Sequence, residues 1–162
     1  MKFTNVVRIC LGAVLMMSLF AGCAWVRGTY VLEDTKSLAF GYSTGNMANA
    51  RVKYTLLCEN GTCTATVKED GVAEEEAVII AVDEAFVHRV EALLQSYDVQ
   101  KWNGFQKSDK YVLDGKDFDM YMQNHRGQYF SASGYMKWPK GYDEVKKGLD
   151  ELFGGLLKEE VQ

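Results

Sequence analysis

The six residues Cys58-Glu59-Asn60-Gly61-Thr62-Cys63 constrain this chain more than any others. Asn-Gly between strand-like runs marks a two-residue hairpin, because a type I′ turn needs φ > 0 at both central residues. With Asn60-Gly61 at the turn, Glu59 pairs with Thr62 and Cys58 faces Cys63. The two cysteines then form a non-hydrogen-bonded pair with Cα atoms about 4.5 Å apart, within reach of a disulfide. The same register sets Leu56 opposite Ala65 and Tyr54 opposite Val67. The apolar pattern agrees, since Ala50, Val52, Tyr54, Leu56 and Cys58 alternate along residues 50–58, and Cys63, Ala65 and Val67 along 63–68.

The remaining elements follow from periodicity. Strands are expected over residues 26–33 and 37–43, the second with Leu38, Phe40 and Tyr42 on one face. Asp70-Gly71 marks a turn before a strand over 77–81. Asp83 caps a helix over 84–97, with Phe86, Val90, Leu93, Leu94 and Tyr97 on its buried stripe. Val82 and Val87 suit a hydrophobic staple around that cap. His88 falls outside the stripe and reads as a solvated residue. Residues 98–115 read as a long irregular crossing. Phe118, Met120 and Met122 alternate in a sixth strand, and a turn at 124–127 leads into a seventh over 128–133. A final helix starts near Asp143, with Val145, Leu149, Leu152, Phe153 and Leu156 inward, and Gly154-Gly155 should loosen or end it. The expected fold is α+β: an antiparallel sheet of about seven strands with two helices packed on one face.

The N-terminus supplies an address. Lys2 and Arg8 precede a 12-residue apolar run, Ile9 to Phe20, followed by the small residues Ala21 and Gly22 and then Cys23. These are the zones of a secretory signal, and the run falls short of the roughly 20 apolar residues that a membrane span needs. Leu19-Phe20-Ala21-Gly22-Cys23 resembles the lipobox of bacterial lipoproteins, with Phe20 where that family prefers Leu. The resemblance implies removal of residues 1–22 and a diacylglyceryl group, with further acylation such as palmitate, on Cys23. Two or more acyl chains hold a protein stably to a bilayer. Residues 23–25 would be a short lipidated tether of about 10 Å, and 26–162 a single domain close to the membrane. In a two-membrane cell, Ala24 lacks the Asp that resembles an inner-membrane retention signal, which favours the outer membrane facing the periplasm. Export also means an oxidising compartment. A Cys58–Cys63 disulfide is therefore expected, contributing about 2 kcal/mol on the chain-entropy model. A metal or redox pair is the alternative, although no further Cys or nearby His completes a metal site.

Loss of Lys2 and Arg8 leaves 16 basic against 22 acidic residues, a formal charge of −6. An acidic domain without a basic cluster is repelled by nucleic acid, which excludes that class of partner. The 140 residues left suffice for one core.

Trp102-Asn103-Gly104-Phe105, then Asp114-Gly115, then Gly134 followed by Trp138-Pro139 and Tyr142, is similar to an uncharacterised family of bacterial exported proteins with the pattern W-x-G-F, D-G, G-S-N-x-x-P-x-x-[FY]. Tyr135 and Met136 stand where that family carries Ser-Asn. The similarity spans about 40 residues and implies an α+β domain, with no activity attached.

Catalytic patterns do not cohere. Gly41-Tyr42-Ser43-Thr44-Gly45 matches G-x-S-x-G, but that nucleophile elbow needs a helix after the serine, and a turn and strand follow here. Asp114, Asp117 and Asp119 lack the spacing of a calcium loop. No HExxH, CxxC, P-loop or dinucleotide fingerprint occurs, so no cofactor and no enzyme activity are expected. Aromatic density is the remaining signal. Trp102, Phe105, Tyr111, Trp138 and Tyr142 are candidate binding residues, for a protein partner at the membrane surface or, alternatively, a glycan of the cell wall stacked on their rings. Filling of the core is the competing explanation for these rings.

Overall fold

A computed structural model describes residues 30–43 and 51–159. Seven strands form one sheet: β1 (Thr35–Ser43), β2 (Arg51–Glu59), β3 (Thr62–Lys68), β4 (Val78–Val82), β5 (Gln106–Ser108), β6 (Asp117–Asn124) and β7 (Tyr129–Tyr135). Their order is β4-β3-β2-β1-β6-β7-β5, antiparallel throughout except for the parallel pair β5 and β7. Two α-helices, α1 (Glu84–Ser96) and α2 (Tyr142–Glu159), complete an α+β fold among the described residues.

The hairpin β2–β3 has the register that its turn dictates. Glu59 pairs with Thr62, Cys58 with Cys63, Leu56 with Ala65 and Tyr54 with Val67. Asn60 and Gly61 both take positive φ, 54° and 76°, as the I′ turn requires. Cys58 and Cys63 are disulfide-bonded with Cα atoms 4.1 Å apart.

Strict alternation makes one face of the sheet apolar. Leu38, Phe40, Leu56, Ala65, Phe118, Met120 and Ala132 are each at most 1% exposed. They join one core cluster with Phe86, Val90 and Leu94 of α1 and Val145, Leu149 and Phe153 of α2. Phe153 links the pieces, stacking on Tyr54 at 4.9 Å and meeting Phe86 edge-on at 5.3 Å. Asp150 fastens α2 to the sheet, its Oδ1 accepting from the hydroxyls of Tyr42 (2.8 Å) and Tyr54 (2.9 Å). Lys146 donates to the other oxygen at 2.7 Å and lies over the Tyr42 ring. The α1 start also matches expectation, with Asp83 Oδ1 accepting from the Phe86 amide at 2.8 Å.

Three expectations change. Residues 30–33 of the anticipated first strand are not strand, and 26–29 lie outside the described residues. Side chains hold this segment in place of a ladder. Gln128 accepts from the Val31 amide, Asn124 donates to the Val31 carbonyl, and Gln95 donates to the Leu32 carbonyl at 2.6 Å. Within the anticipated crossing at 98–115, a 3-10 turn (Val99–Trp102) and the short strand β5 form instead. The Gly154-Gly155 pair does not end α2, which runs on to Glu159. Leu156 and Leu157, partly buried against the core beyond the glycines, carry the helix past two poor helix formers.

The antiparallel register divides the sheet into two ends. The start of β1, the Asn60-Gly61 turn, the end of β4 and the β6–β7 turn share the disulfide end. The end of β1, the start of β6 and the end of β7 share the opposite, distal end.

Candidate functional site

The five candidate rings separate by burial. Trp102 and Tyr142 are core residues, 4% and 6% exposed, and Trp102 Nε1 donates to the Lys140 carbonyl at 3.1 Å. Phe105 is half-buried beneath Lys107. Trp138, 38% exposed, stacks on Tyr142 at 4.7 Å, and Phe118 touches all four of these rings. The W-x-G-F and W-P segments are therefore brought together as one aromatic cluster closing the core. Tyr111 stands apart from it, 97% exposed.

Tyr111 belongs to the loop of residues 109–116, which joins β5 to β6 at the distal end. The loop is tied down at several points. The Tyr135 hydroxyl donates toward the carbonyls of Leu113 (2.9 Å) and Val112 (3.2 Å). Asp109 takes the Tyr111 amide on one carboxylate oxygen (3.1 Å) and pairs with Lys137 through the other (3.2 Å). Those contacts hold the Asp109 carboxyl below the usual carboxylate range, the Tyr111 amide first and Lys137 second. Backbone bonds from Asp109 N–H to the Tyr135 carbonyl and from Met136 N–H to the Lys116 carbonyl pin both ends to β7 and its exit. On this fixed loop Tyr111 and Leu113 project almost completely into solvent, at 97% and 93% exposure. Sequence reading missed Leu113, although an apolar residue between Lys110 and Asp114-Gly115, among turn formers, was a usable signal.

Beside the loop, Arg51 bridges Asp117 (2.7 Å) and Asp119, and Ser43 Oγ accepts the Asp117 amide at 2.9 Å. Burial works against the Asp117 charge, but Ser43 and Arg51 hold its carboxyl below the ordinary range. Ser43, the serine of the G-x-S-x-G match, ends β1. Both histidines line a cavity that includes Thr35, the first residue of β1. Eight strand steps of about 3.3 Å separate the serine from that cavity by roughly 26 Å, so no Ser–His pair forms.

Among the described residues no helix is long and apolar enough to cross a membrane, and no three His, Cys, Asp or Glu side chains are placed to hold a metal ion. Cys23 lies outside the described residues. Comparison with family models and with curated proteins yields no match to this chain.

Proposed function

We propose that this chain is a bacterial lipoprotein, held to the cell envelope by lipid on Cys23, whose domain acts without catalysis by presenting loop 109–116 to a protein partner. The observation that carries the reading is the pair Tyr111 and Leu113, two large apolar side chains kept in water by a loop that is itself fixed. A loop backbone already held in place loses little entropy on binding, and Tyr is enriched among residues that dominate interface energies. The chain enters the domain at the disulfide end, where Tyr30 packs on Phe130 and Val31 is held by Asn124 and Gln128. Seven residue steps from Cys23 to Tyr30 reach at most about 25 Å, a longer tether than a strand from Val26 would leave. An anchor at that end points the loop away from the bilayer, toward a partner. Both helices lie on the apolar face in this reading, leaving the other face of the sheet to solvent.

That open face supports a second reading, glycan binding. Tyr121 and Tyr129 are 54% and 73% exposed and line a groove of about 560 Å³ with Ser37, Thr55, Gln123 and Ser131. Aromatic faces beside hydroxyls and amides suit a sugar ring.

Intact mass of the membrane-extracted protein, with and without Cys23→Ala, tests the anchor. A chain beginning at residue 23 with diacylglyceryl and acyl mass is expected, and an unlipidated chain cut elsewhere sinks it. A photo-crosslinking amino acid at position 111 should give a discrete adduct in cells, while one at Tyr121 should not. Adduct formation only at Tyr121, or a tyrosine fluorescence change on adding cell-wall oligosaccharide that Tyr121→Ala abolishes, favours the glycan reading instead.

A further inference from the structure

The two edges of the sheet are built differently. β5 is three residues long, polar and exposed, with Lys107 at its centre, the usual blunting of an edge against further pairing. β4, at the other edge, is the five-residue run Val78-Ile79-Ile80-Ala81-Val82, which has no charge and no Pro. Ile79 is 68% and Val78 36% exposed, and Ala81 is exposed as well. We infer that β4 is a docking edge for an extended segment of a partner protein, apolar in its middle and carrying Lys or Arg at both ends, which joins the sheet as an added strand. The edge is separate from loop 109–116 and does not rest on that loop's role.

The register leaves this edge with free hydrogen-bonding groups. In an antiparallel ladder hydrogen-bonded and non-hydrogen-bonded pairs alternate, and the N–H and C=O of one residue serve the same neighbour. Cys58 and Cys63 flank the closing pair of the hairpin and are not hydrogen-bonded to each other, so Cys63, Ala65 and Val67 turn their backbone groups toward β4. Their partners there are Val82, Ile80 and Val78. Ile79 and Ala81 therefore aim N–H and C=O outward, and no turn or loop bond among the described residues uses those groups. Strand addition works on such a template, with main-chain bonds giving affinity and side chains such as Ile79 giving the choice of partner.

Charge selects the occupant. Glu75 and Glu76 precede the strand, Asp83 and Glu84 follow it, and all four are exposed. His88, 3.6 Å from Glu84, is the one basic group within ion-pair distance of any of them among the described residues. A second copy pairing antiparallel through Ile80 would bring Glu76 of each chain to Glu84 of the other. A parallel copy would set like acids side by side. Juxtaposed like charges suppress an interface, so the chain is a poor partner for itself. An incoming strand with basic residues at both ends meets acid in either direction.

The full chain in detergent, titrated with a synthetic peptide of alternating Val and Thr between paired lysines, should show saturable amide shifts centred on β4. Without peptide the Ile79 and Ala81 amides should exchange freely with solvent, and with it they should become protected. The same peptide flanked by glutamates should bind about tenfold more weakly at low salt, a gap that closes as salt screens it. A peptide N-methylated along its bonding side should not bind. Ile79→Lys, which adds the charge that natural edges use, should weaken binding about tenfold with little change in melting temperature, as for other exposed positions. The inference is overturned if no saturable shift occurs, if the glutamate-flanked or N-methylated peptide binds as well as the parent peptide, or if Ile79→Lys binds unchanged. It is overturned too if both amides are protected without peptide, whether by the chain itself or by a second copy. Should Ile79→Lys fail to fold, the N-methylated peptide decides.

Discussion

Single residues explain much of the geometry, and Asp150 does so most directly. One carboxylate oxygen satisfies two buried phenols from neighbouring strands while the other holds Lys146. Asp150→Ala orphans both hydroxyls, so we expect a loss of about 2–3 kcal/mol in denaturant unfolding, with Asp150→Asn losing less because it keeps an acceptor. Met136 is informative in the other direction. It takes φ +52°, a left-handed conformation that favours Gly or Asn. Met136 is only 37% exposed, but relief of the backbone strain is expected to outweigh the packing it loses, so Met136→Asn should raise stability by about 0.5–1 kcal/mol. A fall in the unfolding midpoint would show that the Met136 Sδ contact to the Lys116 amide matters more than the strain.

Among the elements, the β2–β3 hairpin carries its own instructions, whereas β7 depends on what packs against it. In the hairpin, turn chemistry, alternation and the disulfide agree on one register. Reduction, or Cys63→Ser, should therefore cost about 2 kcal/mol on the chain-entropy model while leaving the hairpin amides protected from hydrogen exchange. Loss of that protection would mean the disulfide sets the register. In β7, Gly134 lies where the Phe118 ring and the Lys137 carbonyl come too close for a side chain, and a β-carbon added there would stand 2.6 Å from Phe118 Cε1. Gly134→Ala must displace backbone and should destabilise by about 1–3 kcal/mol in thermal unfolding. This gives the glycine of the G-x-x-x-W-P segment a packing reason.

At the scale of the whole molecule, tyrosine ionisation couples to the core. Burial raises the phenols of Tyr30 (to about 12), Tyr42, Tyr54 and Tyr142, reinforced by Glu91 for Tyr30 and by Asp150 for Tyr42 and Tyr54. An unfolded chain releases phenolic protons near pH 10, before the folded one does. Stability is then fully present below about pH 10 and declines as pH rises through the raised folded values. Absorbance at 295 nm and circular dichroism followed together should show these four phenolates appearing with the loss of strand signal. Their ionisation with the fold intact would contradict the burial argument.

Local chemistry determined the elements whose evidence is contained in the element itself: the Asn60-Gly61 hairpin and its disulfide, the alternating faces of β1 and β6, and the Asp83-capped helix. Period and turn type are properties of neighbouring residues, so they are legible in a string. The tertiary structure decided the rest. Residues 30–33 have strand-like composition yet are claimed by Gln95, Asn124 and Gln128, side chains distant in sequence. β5 exists only because β7 offers it an edge. Trp102 and Tyr111 look equally available in sequence, but one fills the core and the other projects into water. His88 and His125 are far apart in the string, and only the sheet brings α1 and the β6–β7 turn, and with them both rings, to one end. Burial and convergence belong to how chain segments meet, and no local pattern encodes them.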